Sequence, residues 1–98
     1  MITETASVEQ LKDAVENLEI EYARISAAED EAETRYAELF AKSEKLRKQR
    51  KTGDCVKKVQ ADMSDAWAAL KRLRSERVAT YNVMKDAQTA LGVAENAA

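Results

Sequence analysis

Apolar or small side chains recur at alternating steps of three and four from Val8 to Leu46, and a similar register resumes after Gly53. Writing the first seam position as a and the second as d, the first arm places Val8, Val15, Tyr22, Glu29, Tyr36 and Ser43 at a. Its d positions are Leu11, Leu18, Ile25, Ala32, Leu39 and Leu46. In the second arm a is Val56, Met63, Leu70, Arg77, Met84 and Leu91, and d is Val59, Ala66, Leu73, Thr80 and Ala87. A 3.5-residue repeat sustained this long belongs to helices packing along a shared seam. A chain committed to two such arms has little length left for a catalytic cleft.

The remaining composition agrees. There is no proline, only two glycines, and 35% of the residues are charged, which suits long helices better than a sheet. The fold expected is all-α: an antiparallel two-helix coiled-coil hairpin, with pairing of two hairpins into a four-helix bundle as its extension. Residues 1–98 make one domain, with a helix over 7–51, a turn over 52–54, a second helix over 55–91 and frayed termini.

The boundaries rest on local chemistry. Ser7-Val-Glu-Gln10 has the form of a capping box, in which Ser7 and Gln10 satisfy each other's amides. Gly53 can take the left-handed conformation that ends a helix, and Asp54 can cap the next. Gly92 reads as the stop of the second helix. A connection this short turns the arms antiparallel, so that facing residue numbers sum to about 106. That register sets Leu46 near Val59, Leu39 near Ala66, and Tyr36 near Leu70. It also sets Glu29 against Arg77, the two charges that interrupt the seam, as a pair that fixes register.

Three large aromatic residues lie beside the seam. Phe40, Trp67 and Tyr81 occupy e positions, which share one flank of an antiparallel pair, and Phe40 is expected to face Trp67. The other flank carries the small g residues Ala14, Ala28, Ala69 and Val83. Bulky e residues can merely broaden the seam. Trp and Phe are also the expected anchors of a protein interface.

Net charge is only −2, but the charge is segregated. Residues 1–41 hold eleven acids and three bases, whereas 42–58 hold eight bases against Glu44 and Asp54. Lys45, Arg47, Lys48, Arg50, Lys51, Lys57 and Lys58 converge on the turn as an electrostatic docking tip. Such a cluster can neutralise phosphates, or simply complement the dipole at a helix C-terminus. No aromatic residue lies between Lys42 and Lys58 to stack on bases, so single-strand recognition has little support. Cys55, beside Lys51, Lys57 and Lys58, is either an activated thiol or, more commonly, a small apolar filler.

The chemistry of catalysis is thin. The chain has no histidine, one cysteine, and a Lys51-Thr52-Gly53 run that lacks the leading glycines of a phosphate-binding loop. No catalytic, cofactor-binding or metal-binding residue is expected, and no small-molecule substrate. The N-terminus shows no secretory signal, and no apolar run could span a bilayer, so a cytoplasmic protein is expected, or one assembled there into a larger particle such as a virion. The function expected is structural or assembly work through coiled-coil contact, with self-association foremost. The alternatives are a nucleic-acid-binding hairpin using the basic tip, and a small chaperone or adaptor holding a client helix.

Overall fold

The computed structural model describes residues 7–97. Two helices, α1 (Val8–Lys48) and α2 (Asp54–Ala97), flank a short turn, and no strand occurs among the described residues. The molecule is an all-α helical hairpin. Of the expected frayed ends, residues 1–5 and Ala98 lie outside the described residues, whereas residues 93–97, also expected to fray, continue α2 as helix.

At the start of α1 the capping box forms as the sequence predicts. The Ser7 amide donates to Gln10 Oε1 at 3.0 Å, and the Gln10 amide donates to Ser7 Oγ at 3.1 Å. The Ser7 carbonyl takes the first helical bond from Leu11 at 3.0 Å.

The turn differs from expectation. Helix α1 ends at Lys48 rather than Lys51, because Arg50, not Gly53, adopts the left-handed conformation that closes it (φ 56°). The Lys51 amide donates to the Leu46 carbonyl at 2.9 Å and the Arg50 amide to the Arg47 carbonyl at 3.0 Å. This is the paired 6→1 and 5→2 pattern of a Schellman cap. Gly53, with φ 89°, serves the other side of the turn: its carbonyl accepts from the Lys57 amide at 3.1 Å and starts α2. Asp54 is therefore the first helical residue rather than the cap, placed where a carboxylate complements the helix dipole.

Helix α2 also runs past its expected stop, through Gly92 to Ala97. A glycine inside a helix costs only about 1 kcal/mol relative to alanine, and no proline follows to end the helix.

The residues group into two compact units: Ser26–Ser75, which contains the turn, and a terminal unit built from the described residues up to Ile25 and from Glu76 onward. In the turn unit the buried side chains are Leu39, Val59, Ala66, Leu70 and the carboxylate of Glu29. In the terminal unit they are Val15, Ile25 and Met84. Every one of these sits at a predicted a or d position, and no a or d residue is fully exposed. Burial of this apolar stripe is the main driving force holding each pair of helical segments together.

Candidate protein-binding flank and basic turn

Phe40, Trp67 and Tyr81 are all solvent-exposed, at 51%, 40% and 40%. Phe40 and Trp67, expected to face each other, make no ring contact with one another. Among the described residues, the ring against Trp67 is that of Tyr36, at 5.5 Å between centroids and tilted by 47°; Phe40 makes no ring contact. An e side chain stands at the outer edge of its helix, whereas an a side chain sits between the helices, so the a ring of Tyr36 is the nearer neighbour.

The same a-to-e relation places Arg74 on Glu29. Arg74 Nε lies 3.4 Å from Glu29 Oε2, and its Nη2 lies 3.6 Å from Glu33 Oε1. The Arg74 guanidinium carbon also stands 5.7 Å from the Trp67 ring centroid, and Lys71 Nζ stands 6.0 Å from it. Trp67 thus packs one part of its ring on Tyr36 and offers its π-system to two cations. Arg77, which the seam arithmetic sets against Glu29, is half-buried and belongs to the terminal unit, and both residues engage further partners.

In the terminal unit Tyr22 meets Tyr81 at 5.7 Å with a 50° tilt, and Lys85 Nζ sits 5.6 Å from the Tyr81 ring. Further along the same flank, Gln88 Nε2 donates to Glu19 Oε2 at 3.2 Å. Arg24 grips Glu21 one turn away on its own helix, with Nε 3.2 Å from Oε2. That hydrogen bond holds the Glu21 carboxyl below its ordinary value of 4.5. The hydrogen bond from Arg47 to Glu44, at 2.7 Å, does the same for Glu44.

The seven cations predicted at the turn are all exposed: Lys45, Arg47, Lys48, Arg50, Lys51, Lys57 and Lys58. Arg47 is taken by Glu44, and Lys58 Nζ lies 3.6 Å from Asp62 Oδ2. Among the described residues the other five form no direct ion pair, although the charge of Lys48 also acts on the Glu44 carboxyl. Sequence reasoning missed the left-handed Arg50 that points the chain through this cluster, because nothing in an arginine signals that conformation. Cys55 is free and exposed, its Sγ 3.7 Å from the Thr52 carbonyl, so it fills no core.

One open concavity is lined by Asp30, Glu31, Thr34, Arg35 and Glu38, successive turns of α1 alone, and so has no second wall. A smaller one of about 180 Å³ lies on the g flank over Ala32, Ala66 and Ala69, rimmed by Arg35, Asp62 and Asp65. Among the described residues no three His, Cys, Asp or Glu side chains are grouped to hold a metal ion, and no helix is long and apolar enough to cross a membrane. No protein-family model, curated protein or solved structure matches the chain.

Proposed function

We propose that the chain is a non-enzymatic structural or assembly protein that acts through coiled-coil contact with another protein, a second copy of itself foremost. The observation that carries this reading is the exposure of two large aromatic side chains in the turn unit: Phe40, without a ring partner among the described residues, and Trp67. Burying such groups on a partner helix removes apolar surface from water at roughly 25 cal/mol per Å². Trp and Phe are the side chains on which interface energy concentrates. The setting would be the cytoplasm, or a particle assembled there. Sedimentation velocity across the micromolar range tests it: the protein should associate, and Phe40→Ala should weaken association. A strict monomer with no helical partner would overturn the reading.

A second reading rests on the five turn cations that form no direct ion pair among the described residues, Lys45, Lys48, Arg50, Lys51 and Lys57. They could dock on nucleic-acid phosphates, with affinity falling steeply as salt rises. Titration against duplex DNA and RNA at two salt concentrations separates the two; binding insensitive to charge reversal at the turn would remove the second.

A further inference from the structure

The exposed face of α1 in the turn unit is electrostatically complementary to itself. Asp30, Glu33, Ala37, Phe40, Glu44 and Arg47 follow one another at steps of three and four, so they share one stripe of the helix. Phe40 is at the middle. Glu33 lies seven residues before it and Arg47 seven after it. Asp30 lies ten before it, and Arg50, in the turn, ten after it. A second α1 laid antiparallel over Phe40 therefore meets opposite charges on both sides of the ring.

We propose that the partner on this flank is a second copy of the chain, docked antiparallel about a two-fold axis at Phe40. The inference rests on the self-association reading above and fixes its geometry. The two Phe40 rings meet at the axis, with the two Trp67 rings beside them on α2. Glu33 of each copy faces Arg47 of the other, and Asp30 faces the cationic turn. By symmetry each contact occurs twice, as in any isologous interface. The groups are open to such pairing: the Glu33 side chain is 49% exposed and that of Arg47 is 71% exposed despite their partners within the chain. The parallel alternative, with the two turns side by side, would place seven cations of one copy against seven of the other. Like charges juxtaposed in this way oppose association.

The native chain carries its own reporter, the exposed and single Cys55 beside the turn. With one spin label on Cys55, the antiparallel pair should give a label separation of about 35–40 Å from the helical rise between Phe40 and the turn, doubled by the axis. Charge reversal supplies a second readout. Glu33→Arg or Arg47→Glu alone should weaken association about tenfold, and the double variant should recover most of it, because each pair is re-formed across the interface. A dimer with its labels within about 20 Å overturns the antiparallel docking and leaves self-association standing. A dimer whose double variant recovers nothing overturns the Glu33–Arg47 contact and with it the proposed register. A chain that stays monomeric throughout overturns this inference and the reading beneath it.

Discussion

Arg74 reaches Glu29 at 3.4 Å from the adjoining e position, bringing a half-exposed cation onto a carboxylate that is 6% exposed in the middle of an apolar seam. Desolvating Glu29 opposes what the ion pair contributes, so the pair adds little net stability over an apolar seam residue. Arg74→Ala should therefore cost roughly 1–3 kcal/mol by weakening the compensation of a buried charge. Glu29→Leu should be neutral or stabilising. Urea denaturation of both variants checks this; a loss of several kcal/mol for Glu29→Leu would mean that the carboxylate holds the seam together.

The turn makes an unusual demand on Arg50, which adopts φ 56° where glycine is the common choice. Arg50→Gly should stabilise the hairpin by about 0.5–1 kcal/mol, and Gly53→Ala should destabilise it by a similar amount or more, since its φ of 89° disfavours any side chain. Gly92→Ala should behave oppositely to Gly53→Ala. Gly92 is inside α2 with open space where a methyl group would go, so a gain of about 0.5–1 kcal/mol is expected in thermal melts. Equal effects at the two glycines would contradict the different conformations assigned to them.

Phe40 and Trp67 should separate folding from association. Trp67→Ala removes a ring packed on Tyr36 and should lower both the melting temperature and the affinity for a second copy. Phe40→Ala removes a largely exposed ring, and should leave stability within about 0.5 kcal/mol while still weakening association. Melting and sedimentation of the two variants side by side give the comparison. A Phe40→Ala protein that unfolds readily yet associates normally would reverse the roles.

Acid should weaken the helices through Glu21 and Glu44. Hydrogen bonds from Arg24 and Arg47 lower both folded-state values below 4.5, so their contribution is present above the ordinary carboxylate range. It is lost as the pH falls through the lowered folded values. Carbon-detected NMR titration should find these two carboxyls ionised at pH values where ordinary glutamates are already protonated. Midpoints at or above the ordinary value would show that the two ion pairs do not persist in solution.

The seam was legible because its period is a property of the sequence alone: Val15, Ile25, Leu39, Val59, Ala66, Leu70 and Met84 all lie on the predicted stripe. So was the capping box at Ser7, whose chemistry is local. The Tyr36–Trp67 and Glu29–Arg74 contacts were not legible. Pairing by facing number treats side chains as points at their own Cα, whereas Arg74 and Trp67 are long enough to reach an a residue offset from the level position. Nor could the C-terminal ends of the helices be read, because a left-handed arginine and a glycine inside a helix are each the minority conformation for their type. The exposure of Cys55 was missed for a related reason: its small size suggested packing, but it lies in the first turn of α2, where its thiol is exposed.

One consequence concerns the route to the folded state. The unit Ser26–Ser75 is continuous in sequence, whereas the terminal unit joins segments that the whole of it separates. Closing the shorter loop costs less chain entropy, so the hairpin should zip outward from its turn, with the terminal segments docking last. Truncating Leu39 or Leu70 should then slow refolding, while truncating Val15 or Met84 should chiefly hasten unfolding, a contrast readable from chevron plots.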